Sequence, residues 1–260
     1  MMVLPRIVSK LTPDKGIIVT RPIGYNGDLA RLLCDEGYRV LERPLLSIKP
    51  LNFSHRMKHK VMKLDTYDAV IFVSRNAVNC SLRYLRDLWP QWPTELIWCA
   101  VGKKTAEDLS FFSVQTNYPE EQGANGLFEI IDWGDINKVL IVRGKGGLEN
   151  LRERLQSRRI KVDYLEVYER VPKHYSMLEQ EIVELHFGVI ILTSGDALKS
   201  LCASVGPEVR AKLIVLVPTE RIGELVRQSG IKKLVVTGGV NNEDILSSLA
   251  SINNGLDYDR

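Results

Sequence analysis

The chain resembles itself, and that internal repeat limits the possible folds more than any other feature. Ala69-Val-Ile-Phe-Val-Ser74-Arg-Asn-Ala77 lies on Val189-Ile-Ile-Leu-Thr-Ser194-Gly-Asp-Ala197 at a shift of 120 residues (74 to 194, 77 to 197). Leu96-Ile97 lies on Leu213-Ile214 at 117, and Arg21, Gly24 and Leu29 lie on Arg143, Gly146 and Leu151 at 122. Three segments in one order at nearly one shift describe a duplicated unit, with the small drift taken up in loops. Polar residues match in the turns as well as apolar ones in the runs, which exceeds the general likeness of one α/β unit to another.

Within each copy, short apolar runs alternate with helical patterns. Ile17-Ile18-Val19 precedes Leu29, Leu32 and Leu33, while Ala69 to Val73 precedes Val78, Leu82 and Leu85. Leu96 to Val101, Val139 to Val142, Val189 to Leu192, Leu213 to Val217 and Leu234 to Val236 continue the plan. Continuous β-branched runs suit strands covered on both faces, and strand–helix alternation predicts parallel sheets flanked by helices. The expected class is α/β, with two Rossmann-like or flavodoxin-like domains. Two segments, Tyr38 to Ile48 and Ile160 to Arg170, are longer than ordinary strands. Each is read as one extended crossing, and together they would make a two-stranded link that permits hinge motion.

Composition excludes several functions. A net charge of +3 is too small to imply nucleic acid, but it suits a small polyanion if cations converge. Cys34, Cys80, Cys99 and Cys202 contain no C-x-x-C pair, so they read as free thiols in a reducing compartment. His55 and His59 have ligand spacing but lie in a basic run without a third ligand, so no metal is expected. No apolar run reaches the ~20 residues of a membrane span, and Met1 to Lys15 lacks the pattern of a signal peptide. A cytoplasmic monomer is expected.

Ligands of open parallel sheets bind beyond the carboxyl ends of the strands. Those positions here include Thr20-Arg21-Pro22, Ser74-Arg75-Asn76, Gly102-Lys103-Lys104-Thr105, Arg143-Gly144-Lys145-Gly146-Gly147, Thr193-Ser194-Gly195 and Pro218-Thr219-Glu220. Hydroxyls cap helices, glycines admit a ligand to the backbone, and helix N-termini favour anions. Singly, Ser74, Ser194 and Thr219 fit either capping or ligand binding. As a set, the turns suit an extended ligand bearing many carboxylates. No nucleophile elbow, H-E-x-x-H or phosphate-loop spacing is present, so the chemistry must need few side chains.

At these turns the sequence resembles the uroporphyrinogen-III synthases. The resemblance is carried by Val19-Thr-Arg-Pro22, Asp68 to Ser74 with Asn76-Ala77-Val78, and Ala100-Val-Gly-Lys-Lys-Thr-Ala106. Val142-Arg-Gly-Lys-Gly-Gly147, Val167-Tyr-Glu-Arg170 and Leu192-Thr-Ser-Gly195 complete it, so that it runs from about Gly16 to Leu249. It implies two α/β domains with exchanged elements: residues 1–45 with 172–260, residues 50–165, and a connecting ladder of 46–49 and 166–171. The implied substrate is hydroxymethylbilane, a linear tetrapyrrole with eight carboxylates, held between the domains. It would be closed to uroporphyrinogen III with loss of water and inversion of ring D, with no metal or organic cofactor.

Carried onto this chain, Arg21, Ser74, Asn76, Thr105, Arg143, Gly144, Thr193, Ser194, Gly195 and Thr219 would bind substrate, and Tyr168 would supply the proton. Arg21 and Arg143 also fit bracing their turns, and Tyr168 fits packing in the ladder equally well. Val73 and Arg75 stand where the family has threonine and proline, and the Thr219 turn lacks the Gly-x-x-Thr-Ala pattern. Two other functions fit the same turns: a non-enzymatic module closing on an anionic metabolite, and a nucleotide-dependent transferase using the Arg143 to Gly147 loop.

Overall fold

A computed structural model describes residues 16–120, 124–147 and 149–253; the Met1 to Lys15 extension lies outside them. The described residues form ten strands: β1 (Gly16–Val19), β2 (Val40–Glu42), β3 (Leu46–Pro50), β4 (Ala69–Phe72), β5 (Ile97–Ala100), β6 (Lys138–Gly144), β7 (Lys161–Pro172), β8 (Phe187–Ile191), β9 (Ile214–Val217) and β10 (Lys233–Val236). One sheet has the order β10-β9-β8-β1-β2 and is parallel throughout. The other has the order β3-β7-β6-β4-β5, parallel from β7 to β5. There β3 adds to β7 in the opposite sense, with Leu51 N–H donating to the Val167 carbonyl and Lys173 N–H to that of Leu45, both at 2.9 Å. The chain divides into two compact units, Met1–Ser47 with Val171–Arg260, and Ile48–Arg170.

The duplication extends to the register of the strands. Ile17 of β1 pairs with Val40 and Val189, and its counterpart Val139 of β6 pairs with Val162 and Ala69. Val189 pairs with Ile214, and Ala69 with Ile97. Each of these pairings in one sheet is therefore the other's under the sequence shifts of 117 to 122. Where β10 flanks β9, the second sheet keeps a single parallel bridge, Cys99 to Asn117. Each sheet thus combines the leading strands of one copy with the trailing strands of the other.

The two faces of each sheet are buried, as the unbroken apolar runs require. In the second unit, Val70, Phe72, Leu140 and Val142 face one core, while Ala69, Ile71, Val139 and Ile141 face another. In the first unit, Ile18, Ile190 and Val215 oppose Ile17, Val189 and Ile214 in the same way. Helix Arg75–Leu88 closes the first of these cores through Ala77, Val78, Leu82 and Leu85, at the spacing of one helical face.

Tyr38 to Ile48 is not one extended run. It is β2 in one sheet and β3 in the other, broken at Arg43-Pro44-Leu45. Proline cannot donate to a ladder, so pairing along the segment stops there. The break is tied down within the first unit: Arg43 N–H reaches the Val19 carbonyl at 3.0 Å, and Tyr175 Oη donates to the Pro44 carbonyl at 3.0 Å. Arg43 also clasps Glu181 with two bonds, Nε to Oε2 at 2.8 Å and Nη2 to Oε1 at 2.5 Å.

The Arg43 guanidinium holds the Glu181 carboxyl below its ordinary range. A depressed carboxyl stabilises the fold above its unfolded value, and that contribution is lost as pH falls through the folded one. Replacing Glu181→Gln should cost about 1 kcal/mol at neutral pH. The variant and wild-type urea stabilities should then converge only as pH falls through the depressed value of the folded carboxyl, below the ordinary carboxylate range, where the wild-type group is protonated. A constant gap at all pH values would show that the ion pair contributes nothing.

Candidate active site at the strand ends

In the second unit, Ser74 follows β4 and Tyr168 lies near the end of β7. Ser74 caps helix Arg75–Leu88, its Oγ accepting from Ala77 N–H at 3.2 Å. The same Oγ lies 3.1 Å from the Tyr168 hydroxyl. Tyr168 is 1% exposed and is the largest fully buried side chain among the described residues.

A β-bulge puts the tyrosine there. Arg143 pairs with Glu166 but Gly144 pairs with Tyr168, so Val167 is the extra residue. Strict alternation would send Tyr168 to the face opposite Leu165 and Val167. The bulge turns it onto their face, and all three join one core. Gly144 completes the arrangement: a Cβ built there would lie 2.5 Å from Cε2 and Cζ of the Tyr168 ring. The glycine read as an approach point for ligand therefore has its open side filled by tyrosine.

Arg143 and Arg21, matched in the repeat, are both engaged by the protein itself, Arg143 within its own turn and Arg21 by the loop before helix Asn242–Asn253 and that helix's first residue. Arg143 is 4% exposed; its Nε donates to the Gly144 carbonyl at 3.2 Å and its Nη1 to Glu149 Oε1 at 3.0 Å. Its guanidinium lies 4.3 Å from the centre of the Tyr164 ring, and Tyr164 Oη donates to Glu149 Oε2 at 2.6 Å. The Tyr164 hydroxyl, joined by Arg143, draws the Glu149 carboxyl below its usual range. A guanidinium this buried must be paired in this way. In the first unit, Arg21 Nη1 donates to Asn242 Oδ1 at 3.0 Å and Nη2 to the Val240 carbonyl. The buried Asn26 closes the same turn, its Nδ2 donating to the Arg21 carbonyl at 2.8 Å. Burial lowers the Arg21 guanidinium from its ordinary value.

Ser194 repeats the geometry of Ser74, capping helix Gly195–Ser204 by accepting from Ala197 N–H at 3.2 Å. Thr193 and Gly195 flank it, half-buried. The position matched to Tyr168 at the shift of 122 is Leu46, so the second serine has no phenol counterpart. Thr219 is exposed and its side chain makes no cap bond. Thr105 is 6% exposed in helix Lys103–Ser110, and Asn76 is half-buried in the first turn after Ser74. The structure therefore brings together Ser74, Tyr168 and Gly144 in one unit, and Thr193, Ser194 and Gly195 in one turn of the other.

Sequence reasoning missed the Arg75–Asp108 pair, Nε to Oδ2 at 2.8 Å and Nη2 to Oδ1 at 3.0 Å. It ties the first turn of helix Arg75–Leu88 to helix Lys103–Ser110, and the only available signal was a cation in the turn.

The family model described as uroporphyrinogen-III synthase HemD matches residues 27–247. The chain belongs to the uroporphyrinogen-III synthase family. It is 26% identical over 243 residues to the uroporphyrinogen-III synthase of Escherichia coli, covering 90% of this chain and 99% of that protein. Its fold is similar to a mutant uroporphyrinogen III synthase from the extremely thermophilic bacterium Thermus thermophilus, with TM-score 0.61, 13% identity, and 91% and 98% of the two chains covered. It is also similar in fold to the uroporphyrinogen-III synthetase of Helicobacter pylori, with TM-score 0.55, 18% identity, and 92% and 99% covered. Family membership makes the chain an enzyme of tetrapyrrole biosynthesis, and a non-enzymatic binding module is not favoured.

The contact between Gly144 and Tyr168 is open to test. Gly144→Ala should destabilise the protein by about 1–3 kcal/mol, because the ring has no free space to enter. In a Tyr168→Val background the same substitution should cost under about 1 kcal/mol, a coupling that urea melts of the four proteins would measure. Equal costs in both backgrounds would mean that the tyrosine ring does not require the glycine.

Proposed function

We propose that the chain closes hydroxymethylbilane to uroporphyrinogen III with inversion of ring D, and that the Ser74–Tyr168 hydroxyl pair supplies the proton. A pyrrole nitrogen pushes out the hydroxymethyl oxygen, which leaves as water once protonated. The azafulvene left behind is attacked by the substituted carbon of ring D to give a spiro intermediate, whose fragmentation and reclosure invert that ring. The proton is recovered when the reclosed pyrrole regains aromaticity, so the enzyme ends unchanged. Free bilane tends to close without inversion, so the protein's main task is geometric. Positioning and preorganised donors are large contributions that need no reactive nucleophile.

The hydroxyl pair, 3.1 Å apart at a strand end, is the observation that carries this reading. Ser74 is half-buried while Tyr168 is 1% exposed, so on this reading the serine is the member of the pair that meets the ligand. Proton donation then passes from Tyr168 through Ser74. Asn76, Thr105 and the Thr193-Ser194-Gly195 turn supply hydroxyl, amide and backbone donors for the substrate's carboxylates. Arg21 and Arg143 hold those turns in shape, and Thr219 contributes from an exposed position. The same reading takes one small-molecule substrate, and we infer a cytoplasmic monomer acting without nucleic acid or membrane. No helix among the described residues is long and apolar enough to cross a membrane.

Tyr168→Phe keeps the ring and removes only the hydroxyl. It should reduce type III formation by about 10²-fold or more, as loss of a positioned proton donor does. Stability should fall by no more than about 1 kcal/mol, the value of one neutral hydrogen bond. Ser74→Ala should fall comparably, with the double variant little worse than either single one. Ser194→Ala, whose turn has no phenol, should cost less. Near wild-type turnover in Tyr168→Phe would assign the tyrosine to packing alone.

A further inference from the structure

A cavity of about 590 Å³ lies in the Ile48–Arg170 unit, and neither Ser74 nor Tyr168 lines it. Its walls come from helix His55–Met62 and the first half of β7, and include Arg56, Lys60, Arg152, Asp163, Tyr164 and Glu166. The ladder between β3 and β7 ends at Leu51 and Val167, so β7 has no strand partner here on that side. Lys60 takes up the exposed edge instead, its Nζ donating to the Tyr164 carbonyl at 2.6 Å. The amine is thus held at a fixed point on the wall of the cavity. Arg56 lies one helical turn before it, and Arg152, whose guanidinium is 5.1 Å from the centre of the Tyr164 ring, lines the same cavity.

We propose that Lys60 is a modification site, acylated by small acyl phosphates that the cavity binds through Arg56 and Arg152. Both guanidinium groups line the cavity, Arg152 with Glu149 Oε2 at 3.9 Å; a guanidinium's planar fork matches phosphate oxygens, and the carbonyl bond fixes the amine on the same wall. The Nζ lone pair attacks that carbon and the bond from carbon to the phosphate oxygen breaks. Inorganic phosphate departs with the bonding electrons, and the amine proton passes to Asp163 or to water. The products are N-acyl-Lys60 and phosphate. Burial, the largest influence on Lys60, lowers its ammonium from the ordinary lysine value; Asp163 and Glu166 oppose that shift and Arg56 adds to it. A larger fraction of free amine follows. Acylation would remove the positive charge that secures helix His55–Met62 to the open edge of β7.

The full chain, incubated with acetyl phosphate and followed by peptide mass spectrometry, contains its own references in Lys58 and Lys63, both exposed beside Lys60 in sequence. Lys60 should be acetylated at least about fivefold faster than either, the gain expected from a positioned reaction partner. In the Arg56→Gln, Arg152→Gln double variant, shown folded by circular dichroism, that preference should disappear. Equal or slower reaction at Lys60 would overturn the proposal, and so would a preference that survives loss of both arginines.

Discussion

Backbone pairing across the two halves of the chain is the constraint on which the rest of this protein depends. β8 is paired on one side by β9 of its own copy and on the other by β1 of the leading copy, and β4 lies in the same way between β5 and β6. Without the other half, each of these strands would expose a full row of unpaired N–H and C=O groups on an apolar edge, a costly and association-prone state. The chain therefore changes sheet twice, at the Pro44 break between β2 and β3 and again between β7 and β8, and it passes from one compact unit to the other within β3 and within β7. The two connecting segments differ: β7 is one twelve-residue strand, and β2 and β3 are short strands around a proline.

The same twelve-residue strand carries Tyr168, the proposed proton donor. β7 runs the length of one sheet, and a single extra residue at Val167 turns Tyr168 toward the end of β4. Gly144 leaves room for the ring, and Ser74 meets its hydroxyl while capping a helix. The matched arginines keep the flanking turns in shape from within, so their charges go to architecture first. The duplication makes the difference between the units informative: both have the capping serine, but only one has the phenol. On the proposed mechanism, one unit holds and orients while the other also moves a proton.

Much of this was legible in the sequence because it depends on local chemistry or period. The repeat shifts of 117 to 122 reappear as strand registers, because alternation of faces leaves no freedom to slip once both faces are buried. Ser74 and Ser194 were readable as caps because a hydroxyl three residues before an alanine N–H satisfies a helix's first donors. The bulge was not readable: Leu165, Val167 and Tyr168 sharing a face contradicts simple alternation, and no residue type announces it. Nor was the inward direction of Arg21 and Arg143, since an arginine after a strand looks the same whether it meets a ligand or its own turn. Asn242, the partner of Arg21, is brought near only by the fold, and Glu149, six residues after Arg143, is one of several charged groups in its loop.

What the scaffold is proposed to impose, without a cofactor, is inversion of ring D on a substrate that otherwise closes without it. Purified wild-type protein mixed with freshly prepared hydroxymethylbilane, with the products oxidised and the porphyrin isomers separated, tests this directly. Type III product should appear in excess, formed in proportion to enzyme and without added metal or organic cofactor. Type I product alone, from protein shown to be folded, would contradict it.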